Sequence, residues 1–167
     1  MASDYLLEID GIKGESTHNK YPDTIEINSY SFGGSNSGTH ATGGGGGSGK
    51  ATIHDMKFSA PASAAGPNLF LAMASGQTIK KAVLHVFKQG GGEQQEYITI
   101  TMENVLVSSF NHTGTGTGAT DHFTLNFTSI TKEYKPQKDD QSLGSAIKTG
   151  WNVDQQEDRM RSLIENC

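Results

Sequence analysis

The chain has 167 residues, a formal net charge of −5 and no basic cluster, which excludes nucleic acid and anionic membranes as partners on electrostatic grounds. Its one cysteine, Cys167, excludes an internal disulfide, and no apolar run approaches the ~18 residues of a membrane span. Glycine makes up 21 of the 167 residues, well above the usual share of about 7 %, and with the many Ser and Thr residues it predicts one turn-rich, mainly β domain.

The opening MASDYLLEIDG has no basic region and carries acids early, so it does not read as a cleaved signal peptide; synthesis in the cytoplasm is expected. Tyr5 to Ile12 alternates, with Tyr5, Leu7 and Ile9 on one face against Leu6, Glu8 and Asp10. Turn residues from Asp10 to Ser16 and a polar loop through His18 and Lys20 end at Pro22-Asp23. Thr24 to Asn36 reads as a long strand in which Ile25 and Ile27 share one parity and Tyr30 and Phe32 the other. Side chains alternate with a period of two, so both pairs reach one core only through a bulge or bend near Asn28-Ser29. Beyond that bend Ser29, Ser31 and Gly33 form a small polar face toward solvent, with the aromatic pair turned inward.

Gly43 to Gly47, Ser48 and Gly49 then lead into Lys50. Gly44 to Lys50 matches the letters of a phosphate-binding G-x-x-x-x-G-K loop. That chemistry needs a hydroxyl after the lysine, where this chain has Ala51, and a helix whose first amides face the phosphates. Ala51 to Phe58 instead alternates as a strand, with Ile53, Asp55 and Lys57 opposite Thr52, His54, Met56 and Phe58. The run is therefore a long loop between strands, and its lack of side chains suits close backbone approach to a neighbouring copy of the protein.

A helix is predicted over about residues 67–75: Leu69, Phe70 and Met73 form its stripe and Gly76 its stop. Ile79 to Lys88 is apolar on both parities, as in a strand covered on both faces, one of them by that helix. Gly90 to Gly92 is a hairpin turn, followed by a strand from Glu96 to Phe110 with Ile98, Ile100, Met102 and Leu106 on one side. Asn111 to Gly118 reads as a glycine-rich loop. In the returning strand, Asp121 to Tyr134, the apolar parity runs Phe123, Leu125, Phe127 and then switches to Ile130 and Tyr134, which predicts a second bulge near Thr128-Ser129. Thr124, Asn126 and Thr128 make another wet face. Gln137 to Gly144 is a polar loop, and Gly150-Trp151-Asn152 holds the one tryptophan. The expected division is a domain over 1–153 and a tail over 154–167, helical or disordered, with Met160, Leu163 and Ile164 at helical spacing.

No catalytic constellation is present in this pattern, and neither an enzyme, a cofactor nor a bound metal is expected. The nearest metal-like group is His112 with Asp121-His122 across one hairpin, and its neighbours are Thr and Gly rather than ligands. The residues alone define a mainly β barrel or sandwich of packed antiparallel sheets with one short helix. Strands with one apolar and one Ser/Thr/Asn face leave edges to protect; closing into a ring, with the small polar faces lining a wet channel, protects them.

Seven stretches occur in order along the chain: Ile12 to Ser16, Ser29 to Gly33, Gly43 to Lys50, Pro67 to Leu69, Val105 to Ser109, Tyr134 to Gln137 and Gly150 to Asn152. Together they resemble the haemolysin-coregulated protein (Hcp) family, the inner-tube subunit of the bacterial type VI secretion system. The resemblance implies a β-barrel protomer, a homo-hexameric ring and stacked rings forming a hollow tube in contact with sheath and spike proteins. It also implies small effector proteins carried in the lumen, and secretion through the type VI apparatus without a signal peptide. It places the loop containing Gly38, Thr39, His40, Gly43, Gly44, Gly45, Gly46, Gly47 and Gly49 on the adjacent subunit or next ring, and makes Ser31 a lumen-facing effector contact. Two alternatives share parts of the pattern: a phage-type tail-tube protein of the same fold, and a monomeric β-sandwich ligand-binding module using Tyr5, Tyr21 and Tyr97.

Overall fold

The computed structural model describes residues 4–38 and 49–158. In chain order the elements are β1 (Tyr5–Ile9), β2 (Ile25–Glu26), β3 (Ser29–Ser31), β4 (Gly34–Asn36), β5 (Ala51–Ile53), β6 (Met56–Pro61), α1 (Ala65–Ser75), β7 (Thr78–Gly90), β8 (Glu93–Thr115), β9 (Gly118–Asn126), β10 (Ser129–Tyr134), β11 (Ile147–Asn152) and β12 (Glu157–Asp158).

The 23-residue β8 is the spine. One edge of it pairs with β7, from Thr78↔Leu106 to Gly90↔Glu93. Its other edge pairs in succession with β9, through Leu106↔Asn126, and with β10, through Glu103↔Ser129. From β7 the sheet continues through β1 to β2, from β9 through β6 to β3, and from β10 through β11 to β12. The result is one ten-stranded antiparallel sheet whose arms fold over a shared core, with β4 and β5 as a separate two-stranded ribbon. Leu7, Ile25, Met56, Phe58, Leu69, Leu84, Ile100, Met102, Phe123 and Leu125 fill that core. The expected barrel is therefore realised as packed arms of an open sheet. No ladder joins β3 to β2 or to β10 among the described residues, so the ring of strands does not close.

Each parity switch has a physical cause. The bend expected near Asn28-Ser29 is a change of arm: β2 pairs with β1, β3 pairs with β6, and the Asn28 N–H donates to the Ser59 carbonyl at 2.7 Å. Tyr30 then turns inward, edge-on to Tyr5 with ring centroids 5.2 Å apart. Phe32, expected to follow it, is 38 % exposed, because β3 has already ended at Ser31. Ala51 to Phe58 is two strands rather than one, broken where the His54 N–H turns to the Gly33 carbonyl at 2.9 Å. In β8 the core side passes from Ile100 and Met102 to Val105 and Val107, displacing Leu106. There Asn104 takes a φ of 51°, a region that asparagine is among the side chains to tolerate, while the pairing with β7 stays in register from Ile79↔Val105 to Lys81↔Glu103. β8 also runs on through residues 111–115, which had read as loop. The second predicted switch falls at Phe127-Thr128, between β9 and β10.

The helix buries Ala65, Gly66, Leu69 and Ala72, a narrow small-residue face that lets it lie close on β8, while Phe70 and Leu71 stay 55 % and 61 % exposed. The expected stripe is thus rotated: Phe70 meets only the edge of Phe110, at 6.2 Å. Gly76 takes a left-handed φ of 66°, and the Gln77 N–H caps the Ala72 carbonyl at 3.2 Å. The second face of β7 is covered at Phe87 and His85 by rings from the β1–β2 connection, His18 at 4.9 Å and Tyr21 at 3.8 Å, and not by the helix. Of the predicted tail, the described part is a turn and β12, which pairs Asp158 with Trp151.

Candidate functional site

The outer face of β3, β6, β9 and β8 is built from small polar side chains in ladder register. Ser31 lies opposite Lys57, Lys57 opposite Thr124, and Thr124 opposite Ser109. The adjacent row is Ser29, Ser59, His122 and Asn111. Between Val107 and Ser109 the register shifts, so Ser108 and Ser109 both reach Thr124, at 2.7 and 2.6 Å. Ser108 donates to the Asp55 carboxylate at 2.6 Å, and Asn126 donates to the other carboxylate oxygen at 2.8 Å. Each hydroxyl has one proton, so the chain of bonds has one direction: Ser109 donates to Thr124, Thr124 to Ser108, and Ser108 to Asp55. The face is therefore polar, shallow and held in one arrangement by its own bonds.

Ser31 is exposed on β3, between two hollows. One, of about 490 Å³, is lined by Tyr5, Asn28, Ile100 and Lys132 and by Ser29 to Ser31 of β3; the other, of about 170 Å³, by Ser29, Lys57, Ser59 and His122. Of the predicted loop residues, Gly38 and Gly49 stand at its two ends. The Ser37 N–H donates to the Lys50 carbonyl at 3.3 Å, closing the β4–β5 ribbon beneath them. A Cβ on Gly49 would collide with the Gly38 backbone, so that neck requires glycine. Thr39, His40, Gly43, Gly44, Gly45, Gly46 and Gly47 lie outside the described residues. Lys50 leads into strand β5, where a phosphate loop needs the first turn of a helix.

A buried polar cluster escaped the sequence reading. Glu96 accepts hydrogen bonds from the Tyr21 hydroxyl at 2.5 Å, His85 Nδ1 at 2.6 Å and Thr99 Oγ1 at 2.8 Å. Lys20 Nζ stands 3.9 Å away. Burial alone would push the Glu96 carboxyl up, but the bonds from His85, Tyr21 and Thr99 outweigh it and hold it at about 2. The same burial, with the carboxylate beside it, pushes the Tyr21 hydroxyl well above its usual range. The cluster fastens the β1–β2 connection onto β7 and β8. One signal was readable: a histidine inside a strand apolar on both parities must have a buried partner.

The histidine group across the β8–β9 hairpin does not converge. His112 Nδ1 bonds the buried Asp121 at 2.6 Å, while His122 sits on the opposite face of the pleat. Tyr5, Tyr21 and Tyr97 do not form an exposed ladder either: Tyr5 meets Tyr30, Tyr21 stacks on His85, and Tyr97 lies edge-on to Tyr134.

This arrangement has close relatives. The family model described as "Type VI secretion system effector, Hcp" matches residues 6–134. Protein hcp1 of Pseudomonas aeruginosa is 39 % identical over 158 residues, covering 93 % of this chain and 98 % of that protein. A solved structure described as that of a type six secretion system protein superposes with a TM-score of 0.88 at 26 % identity, covering 95 % of this chain and all of the other. Hcp1 from Salmonella typhimurium superposes with a TM-score of 0.77 at 27 % identity, covering 95 % of this chain and 99 % of its own. The fold and the matches define a type VI secretion system protein. The chain belongs to the Hcp family, the tube subunits of that system. Among the described residues no helix is long and apolar enough to cross a membrane.

Proposed function

We propose that the chain assembles as a homo-hexameric ring, that rings stack into the hollow type VI tube, and that small effector proteins travel in its lumen in contact with Ser31. The tube contacts sheath and spike proteins, and its subunits are secreted through the type VI apparatus after a cytoplasmic phase. Its role is structural rather than enzymatic. The observation that carries this reading is the outer face of β3, β6, β9 and β8: small, polar, internally hydrogen-bonded side chains suit the wall of a wet channel better than a dry interface. The glycine-rich composition of the Gly38 to Gly49 stretch suits a place on a neighbouring subunit, because a segment without side chains lets backbone approach backbone.

Light scattering on a sizing column, with negative-stain images of the same peak, tests the assembly. The expected result is six times the 17.8 kDa chain mass in particles with a central hole; a monomer at high concentration refutes it and favours a ligand-binding module. Ser31→Gln is expected to keep the ring and to lose retained effector. Loss of the ring would instead place Ser31 in a subunit interface.

A further inference from the structure

At its β12 end the sheet is only partly closed. β11 pairs along its whole length with β10, from Ser129↔Asn152 to Tyr134↔Ile147, but β12 meets its other edge only at Asn152↔Glu157 and Trp151↔Asp158. From Gly150 back to Ile147 that edge has no strand partner among the described residues, and Ile147 is 62 % exposed. A bare edge is a row of backbone donors and acceptors that proteins pair, cover or charge. Beside it lies a hollow of about 510 Å³, shared with the β4–β5 ribbon and lined by Phe32, Ile53, Ile130, Thr149, Trp151 and Asp158 among others. Residues 159–167 lie outside the described part of the chain, and they continue from Asp158, in the wall of this hollow. The register of β12 fixes where a continued strand would run: Arg159 opposite Gly150, Met160 opposite Thr149, Arg161 opposite Lys148 and Ser162 opposite Ile147. Opposed residues share a face and alternate residues change it. Met160 thus falls on the face of Trp151, Thr149 and Asp158, all of which line the hollow, and Arg159 and Arg161 fall on the other. Arg161 comes beside Lys148, in a row that also holds Glu133.

We infer that residues 159–162 prolong β12 along the bare edge of β11 within the same subunit, and that Met160 closes the hollow over Trp151. The occupant of the groove is the chain's own continuation. An edge paired in this way is withheld from second copies and from extended segments of other proteins. The inference stands apart from the proposed tube and cargo roles.

Trp151 is the one tryptophan of the chain, so its emission and its quenching by acrylamide report directly on the hollow. The chain cut after Asp158, and Met160→Ser in the whole chain, are expected to shift the emission to the red and to raise the quenching. Leu163→Ser, beyond the reach of β11, is expected to change neither. Hydrogen exchange read by mass spectrometry is expected to show residues 147–150 protected in the 167-residue chain and exposed after the cut. Emission and exchange that the cut leaves unchanged overturn the inference and assign the hollow to a second copy or another protein. Equal effects of Met160→Ser and Leu163→Ser, as for a helix packed through both, overturn it as well. The sizing-column mass is measured on every sample. A fall in assembled mass in both the cut chain and Met160→Ser assigns residues 159–167 to a subunit contact and also overturns it. A monomeric wild type with the expected shielding removes the tube reading and leaves this inference standing.

Discussion

Replacing Glu96 by Gln keeps the shape of the buried cluster and removes its charge. Holding the carboxyl at about 2 instead of its ordinary 4.5 amounts to roughly 3 kcal/mol of preference for the ionised, folded form, at about 1.36 kcal/mol per unit. The amide also turns an NH₂ toward one of three donors, leaving a buried donor unpartnered at a cost of about 1–3 kcal/mol. These overlap, because both count the same bonds, so the expected loss near neutral pH is about 3 kcal/mol, or roughly 10 °C in midpoint for a chain of this size. The pH dependence has a fixed sign. The folded value lies below the unfolded one, so the stabilisation is complete above pH 4.5 and is lost as pH falls toward about pH 2. Urea unfolding at fixed protein concentration, followed by tryptophan fluorescence, measures the gap between wild type and variant at each pH. The gap should shrink across that window. A variant within about 0.5 kcal/mol of wild type at neutral pH, or a gap that stays constant as acid is added, refutes the reasoning.

The rotated helix face predicts that Leu69→Ala costs about 2–5 kcal/mol while Phe70→Ser costs under about 1 kcal/mol, both read from denaturation midpoints. Gly14→Ala places a methyl against the Thr24 carbonyl, and is expected to lose about 1–3 kcal/mol and to loosen the β1–β2 connection in hydrogen exchange. Asn104→Val forces a β-branched residue to φ 51° and should destabilise by about 1–3 kcal/mol, with Asn104→Gly close to neutral.

Much of the fold was legible because it rests on local rules. Alternation marked most strands, Gly91 and Gly92 at φ 60° and 88° make the β7–β8 turn, Gly76 ends the helix, and both parity switches fall where the pattern broke. The errors cluster where several apolar residues are adjacent. In Leu69-Phe70-Leu71 any rotation of the helix offers a stripe, and the choice is made by how closely Ala65 and Ala72 let the backbone approach β8. In Val105-Leu106-Val107 the phase depends on one backbone angle at Asn104. Barrel closure is a property of ladders between distant strands, which no window of sequence contains. The Glu96 cluster joins residues 75 apart and forms only once β7 and β8 are in register. In the candidate site, the serine of β3 stood out through its small polar face. The hollow beside it did not, since Ile100 and Lys132 line it from β8 and β10, far along the chain.

The position of β8 in the chain also sets the order in which the molecule can be made. β1 pairs with β7 through Tyr5↔Val86, and β6 with β9 through Met56↔Leu125, so the N-terminal strands emerge from the ribosome long before their main partners. Until residues 78–126 are synthesised, Met56, Phe58 and Leu7 have little to be buried against. Folding must then begin in the later half, where β7, β8 and β9 succeed one another as hairpins with short loop closures. The early half joins afterwards as a set of waiting strands, and the nascent chain is at its most aggregation-prone just before the spine is complete.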